Sequence, residues 1–150
     1  MLLNQLKKQE LGWSQLKLAI RAVVKSLVRV HQKAVVHRDL KPSNIFIDDP
    51  LSARLFDFGL ALIDGLGQRP SDAEMAIGTP YYISPEQAFG ELSLQGPASD
   101  LYSLGVILFE FIFGKLPFLG KSREETLEMH CYSPVNKDLI PIINDVPRFM

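Results

Sequence analysis

His37-Arg38-Asp39-Leu40-Lys41-Pro42-Ser43-Asn44 is the stretch that decides how this chain is read. It sets a carboxylate (Asp39), an ammonium (Lys41) and an amide (Asn44) side by side in a Pro-containing turn. Acid, amide and ammonium groups crowded together suit metal and phosphate chemistry. The same residue types also make an ordinary solvated loop. Alone, the stretch leaves both readings open, and its flanks decide between them.

Working outward, Val35-Val36 is a short β-type run that leads into the loop. Ile45-Phe46-Ile47 follows it, then Asp48-Asp49-Pro50-Leu51-Ser52, then Ala53-Arg54-Leu55-Phe56. Two apolar runs around an Asp/Pro/Ser connection predict an antiparallel hairpin. Asn44 stands just before its first strand and Asp57 just after its second, so the two should converge, with Asp39 close by. Two oxygen ligands beside a carboxylate compose a candidate Mg²⁺ site, because Mg²⁺ takes few protein ligands and fills the rest with water or phosphate.

Upstream, Leu16, Ile20, Val23, Leu27 and Val30 recur at helical spacing and predict an amphipathic helix over Ser14 to His31. Trp13 and His31 at its ends read as packing residues. Downstream, Asp57-Phe58-Gly59 opens a stretch, Leu60 to Ile83, that reads as a flexible loop. Gly65-Leu66-Gly67 lies in it, but Pro70 stands where a phosphate-cradling G-x-G-x-x-G needs its last glycine. Gly78-Thr79-Pro80 and Ser84-Pro85-Glu86 punctuate its end. Leu101 to Gly114 predicts a buried helix, with Ser99 or Asp100 as N-cap and Pro117 beyond its end. Ser122-Arg123-Glu124-Glu125 is a capping box that starts a shorter helix reaching about Cys131. His130 and Cys131 on that helix read as structural, since adjacent residues are poorly placed to share a metal. From Ser133 on, Pro134, Pro141 and Pro147 break any regular element.

Composition narrows the classes. The 150 residues, 47% hydrophobic and 22% charged, fit one globular domain with a real core. A net charge of −1 gives no electrostatic reason to expect nucleic acid or an anionic membrane as partner. A single cysteine, Cys131, excludes an internal disulfide and a cysteine metal cluster and points to a reducing, cytoplasmic setting. The N-terminus has no apolar run long enough for a signal peptide. Leu101–Gly114 is too short to span a bilayer and carries Glu110 within it.

The loop residues resemble the protein-kinase catalytic loop, H-R-D-L-x-x-x-N, at every fixed position. Asp57-Phe58-Gly59 is similar to the family's D-F-G. Gly78-Thr79, Tyr82 and Ser84-Pro85-Glu86 resemble the end of its activation segment, with Ser84 in place of the usual alanine. Asp100-Leu101-Tyr102-Ser103-Leu104-Gly105 resembles the start of the central helix of the large lobe. The resemblance runs from about Leu11 to about Cys131. It implies a mainly α fold with a small β-hairpin, that of a protein-kinase large lobe.

The same resemblance implies roles. Asp39 orients a substrate hydroxyl and accepts its proton, Lys41 neutralises the γ-phosphate of ATP, and Asn44 and Asp57 hold Mg²⁺ on the phosphates. Phe46 lies under the adenine ring, and His37 and Phe58 tie the catalytic loop to D-F-G. Lys41 two residues after Asp39, with Thr79 after Gly78, implies the serine/threonine branch, whose partner is a protein Ser or Thr hydroxyl. Arg38 implies pairing with a phosphate in the activation segment, where Ser71 is the hydroxyl between Gly59 and Gly78. Glu86 implies an arginine partner from a later helix; Arg148 lies in the Pro-broken tail and is not assigned that role.

Against the family pattern, no Gly-rich loop or V-A-I-K lysine precedes the loop, so residues 1–150 are expected to form a partial kinase domain lacking the small lobe and the last helices. On that expectation the isolated chain binds Mg-ATP weakly and transfers phosphate undetectably. The alternative is a non-catalytic kinase-like binding module or an inactive truncated product, which has no need of Asp39, Lys41, Asn44 and Asp57 together. A glycosidase-like use of Asp39 and Asp57 leaves Lys41 and Asn44 unexplained.

Overall fold

The computed structural model describes residues 13–49, 52–58, 62–63, 80–135 and 138. Helix α1 runs over Trp13–His31. Its buried face consists of Ala19, Ala22, Val23 and Leu27. Leu16, Ile20 and Val30 of the expected stripe are only half-buried. The face is rotated because the two alanines let a β-hairpin approach closely, and the Ser26 hydroxyl donates to the Ala53 carbonyl there at 2.5 Å. After His31 the chain turns through Ala34, whose φ is 55°, into strand β1 (Val35–Val36).

Strands β2 (Ile45–Asp49) and β3 (Ser52–Leu55) form the expected antiparallel hairpin, pairing Ile45 with Leu55, Phe46 with Arg54 and Ile47 with Ala53. The ladder reaches further into the Asp/Pro/Ser connection than the sequence indicates, with a bulge between Ile47 and Asp49. Arg54 donates from Nε and Nη2 to both oxygens of Asp48, at 2.6 and 2.5 Å, and this pairing carries the ladder outward. Alternation sorts the side chains. Ile45, Ile47 and Ala53 enter the core with α1, while Phe46, Asp48, Arg54 and Phe56 belong to the other face. Strand β4 (Leu62–Ile63) pairs antiparallel with β1, Val35 opposite Ile63, within the stretch that reads as structureless.

Two short helical turns, Pro80–Tyr82 and α2 (Pro85–Ala88), lead to a further turn, Leu92–Leu94, and to helix α3 (Pro97–Phe113). Helix α3 begins earlier than its apolar run, with Gly96 as cap and Pro97 at the first helical position, where the missing N–H costs nothing. Ser99 and Asp100 are therefore inside the helix and not its caps. It ends at Gly114, whose φ of 69° is the left-handed closure that glycine adopts without penalty. Leu104 and Ile107 join the core with Leu27, Leu40 and Ile45, whereas Leu101 and Ile112 are exposed. The burial expected all round the helix holds for one side of it among the described residues. Each fully buried Leu or Ile contributes about 1.5–3 kcal/mol.

Helix α4 (Arg123–Tyr132) is capped by Ser122, whose hydroxyl accepts from the Glu125 amide at 3.1 Å. The reciprocal half of the box is displaced by one residue: the Glu125 carboxylate accepts from the Lys121 amide. No helix among the described residues is long and apolar enough to cross a membrane.

Candidate active site

The chain between β1 and β2 follows an irregular path, and buried hydrogen bonds hold it there. Arg38 has a φ of 66° and Asp57 of 61°, left-handed values that cost a non-glycine residue about 1–2 kcal/mol each. Asp100 at the start of α3 offsets this cost at Arg38. Its carboxylate accepts from the Arg38 amide through Oδ1 and from the His37 amide through Oδ2, both at 2.9 Å. His31 Nε2 donates to the same Oδ2 at 2.7 Å, so His31 does more than pack. Gln87 of α2 donates to the Arg38 carbonyl at 2.7 Å. Helices α3 and α2, distant in sequence, thus clamp three consecutive peptide units leading into Asp39, with His31 of α1 bracing the Asp100 carboxylate.

His37 carries the constraint across to the hairpin. Its Nε2 lies 2.8 Å from the Phe56 carbonyl, which can only accept, so the proton sits on Nε2. Nδ1 is then the acceptor for the Asp39 amide at 3.3 Å. The His37 ring also packs against Phe58, with centroids 4.6 Å apart. One imidazole therefore touches the backbone of Asp39 and the residues on both sides of Asp57.

Asp39 is the centre of the polar cluster. Lys41 Nζ donates to its Oδ2 at 2.7 Å, and Asn44 Nδ2 donates to the same oxygen at 3.1 Å and to the Asp39 carbonyl at 2.9 Å. Two acceptors at one end of the amide identify that end as nitrogen, which leaves the Asn44 oxygen turned elsewhere. Pro42–Asn44 forms a single tight helical turn with Pro at its start, and this brings Asn44 back under Asp39. The Phe56 amide donates to the Asn44 carbonyl at 2.8 Å, closing the hairpin where Asn44 and Asp57 follow on its two ends.

The donor chemistry fits Mg²⁺ accompanied by phosphate. Asn44 and Asp57 offer one amide and one carboxylate oxygen donor group, and no group of three or more His, Cys, Asp or Glu among the described residues could hold a metal without further ligands. Phe46 lies on the hairpin's outer face, with the Arg54 guanidinium 5.6 Å over its ring.

Around this centre, Arg38 is 6% exposed, and its Nε and Nη2 have no hydrogen-bond partner among the described residues. Burial lowers its pKa, against the opposing pull of Asp100. Burial pushes the Glu86 carboxyl up, but hydrogen bonds outweigh it and leave the group below its ordinary value; the Ser99 hydroxyl donates to it at 2.5 Å. Tyr82 is anchored on α3 twice: its hydroxyl donates to Glu110 at 2.7 Å and its carbonyl accepts from the Ser103 hydroxyl at 2.6 Å. Burial, then the Glu110 bond, raises the Tyr82 pKa far above its usual range. Thr79, Ser71 and Arg148 lie outside the described residues.

Sequence reasoning misassigns Asp100 and His31 and misses Gln87. Asp100 carried a usable signal, since an acid just ahead of an apolar helix has either a cap or a distant partner to serve.

The sequence matches the family described as "Protein kinase domain" over residues 2–148. It is similar to the DNA damage-responsive serine/threonine-protein kinase RqkA of Deinococcus radiodurans, 38% identical over 123 residues, 81% of this chain and 18% of that protein. Serine/threonine-protein kinase pkn2 of Myxococcus xanthus is 38% identical over 116 residues, 74% of this chain and 14% of the relative. PrkC of Bacillus subtilis is 39% identical over 100 residues, 67% of this chain and 15% of the relative. The chain spans less than a fifth of the length of these relatives. The catalytic-loop cluster and these matches agree: the chain belongs to the Hanks-type serine/threonine protein kinases, a phosphotransferase family, and has the fold of a fragment of their large lobe.

Proposed function

We propose that residues 1–150 carry the catalytic half of a kinase site that transfers the γ-phosphate of ATP to a protein Ser or Thr hydroxyl. The observation that carries this reading is the cluster at Asp39, where Lys41 and Asn44 both donate to Oδ2 while Asp100 clamps the preceding backbone. Asp39 orients the incoming hydroxyl and takes its proton, and needs no large movement to do so. Lys41, already beside Asp39, is within reach of the transferring phosphoryl group and offsets its developing charge. Asn44 and Asp57 hold the Mg²⁺ that, when bound, neutralises the phosphate oxygens. Phe46 supports the adenine, and Thr79 and Glu86 belong to the segment that receives the protein substrate. The single cysteine supports a cytoplasmic setting.

Regulation follows from Arg38. Its buried nitrogens, without partners among the described residues, suit a phosphate on the activation segment, and Ser71 is the hydroxyl available there. Equal activity of Ser71→Ala and the unsubstituted protein would remove this part of the proposal.

The test is phosphotransfer from radiolabelled ATP to a generic protein substrate by the full-length gene product, followed by phosphoamino-acid analysis. Phosphoserine or phosphothreonine, lost in Asp39→Ala, is the expected result. Label on tyrosine alone, or label that survives Asp39→Ala, overturns the reading.

A further inference from the structure

Helix α1 presents to solvent a row of charge that the site described above does not use. Lys17, Arg21, Lys25 and Arg29 recur at every fourth position and are all exposed, and Lys33 follows in the turn beyond the helix. Residues four apart are neighbours on a helix surface, so these side chains form one ridge about 18 Å long. Trp13–His31 contains no Asp or Glu. Arg21, Lys25 and Arg29 form no ion pair among the described residues. The core takes the other side of the helix, through Ala19, Ala22, Val23 and Leu27. Val24 and Val28, 38% and 48% exposed, lie beside the ridge. Like charges at this spacing repel one another along the helix. A solvated face gains from alternating signs, and this one forgoes that gain.

We infer that this face of α1 is a docking surface for an acidic segment of a partner protein, with Asp or Glu at helical spacing beside a few apolar side chains. Carboxylates relieve the repulsion along the ridge, while the apolar side chains cover Val24 and Val28. Other polyanions fit less well. A membrane-surface helix sinks its apolar face into lipid, but the apolar face of α1 is buried against the hairpin and α3. Single-stranded nucleic acid is held by aromatic platforms in a positive groove, and no aromatic residue stands between Lys17 and Arg29. With a net charge of −1 the chain exerts no long-range pull, and screening confines the field of the ridge to about 10 Å at 0.1 M salt. A short acidic segment in direct contact meets that range. The inference stands apart from the nucleotide chemistry, since binding at α1 requires no phosphotransfer.

Fluorescence anisotropy of the full-length gene product tests it with a labelled helical peptide carrying Glu at every fourth position and Leu beside each Glu. The unsubstituted protein should bind this probe, more weakly as salt rises, and should bind the Gln-for-Glu counterpart about tenfold more weakly still. Arg21→Glu combined with Lys25→Glu should weaken probe binding by about tenfold or more, because attractions become repulsions. The same variant should melt at an equal or higher temperature, since three like-charged neighbouring pairs on α1 become one. Lys115→Glu combined with Lys121→Glu changes the net charge equally at exposed lysines elsewhere, and should bind the probe within about twofold of the unsubstituted protein. Failure of the unsubstituted protein to bind the Glu probe overturns the inference. So does an Arg21→Glu/Lys25→Glu variant that binds it normally, or one that loses binding and melting temperature together, because α1 then acts only through the fold. Labelled oligothymidylate or phosphatidylserine vesicles that bind more tightly than the peptide, and are released by the same variant, overturn the choice of an acidic protein partner.

Discussion

Asp100→Asn isolates the clamp that shapes the catalytic loop. The Asp100 carboxylate is buried and receives three donors: the amides of His37 and Arg38 and Nε2 of His31. Asparagine keeps one acceptor oxygen and puts an NH₂ group in place of the other. In the cheaper orientation the oxygen serves His37 and His31, and the new donor faces the Arg38 amide. One buried N–H then lacks a partner, at about 1–3 kcal/mol, in a residue whose left-handed backbone already costs about 1–2 kcal/mol. We expect a net loss of about 2–4 kcal/mol, a large share of a domain's total of about 5–15 kcal/mol. Urea unfolding of the kinase domain should show a lower midpoint with an unchanged slope. Phosphotransfer should fall more than MgATP affinity, because the loosened peptides lead directly to Asp39. A stability change below about 0.5 kcal/mol, the scale of an ordinary surface substitution, refutes the clamp.

Three further outcomes are expected. Lys41→Ala should leave the melting temperature almost unchanged, because the Lys41 and Asp39 side chains are 34% and 28% exposed and such pairs contribute less than about 1 kcal/mol. In the same variant the phosphotransfer rate should fall by about 10²–10³-fold, and a normal rate would show that Lys41 only decorates the loop. Gly120→Ala should destabilise the α4 junction by about 1–3 kcal/mol in thermal unfolding, since a new Cβ would stand 2.7 Å from both Glu125 Cβ and the Thr126 amide nitrogen. His130 is buried with Nδ1 against the Tyr102 hydroxyl at 2.8 Å, and burial holds its pKa below the ordinary 6.5. The unfolded chain binds that proton more readily, so this contribution is complete above pH 6.5 and is lost as the pH falls below it. His130→Gln should flatten the acid slope of stability measured between neutral and mildly acidic pH.

The parts of the fold legible in the sequence are those that local physics fixes. The Asp39–Asn44 loop, the pairing of Ile45 with Leu55 and the Ser122 cap each arise from neighbouring residues. The β1–β4 pair was not legible, because two residues per strand carry no periodicity to read. The buried face of α1 was misjudged for a different reason: leucine and isoleucine dominate a hydrophobic pattern, yet Ala19 and Ala22 allow the closest approach. Asp100 illustrates the limit most clearly. An acid before an apolar helix has the local chemistry of a cap, and only the fold brings its carboxylate to amides more than sixty residues earlier in the chain. The candidate catalytic side chains were visible as a motif, whereas those that hold them in place depend on long-range contacts.

Asp39 carries the central claim, and its direct test is a single-turnover measurement of phosphotransfer to a protein Ser/Thr substrate by the full-length gene product and its Asp39→Asn variant. The substitution keeps the shape of the side chain and one acceptor for Lys41 and Asn44, but removes the carboxylate proposed to take the hydroxyl proton. The account predicts a rate lower by about 10²–10⁴-fold at nearly unchanged MgATP affinity. A variant that transfers phosphate as fast as the unsubstituted protein would contradict it.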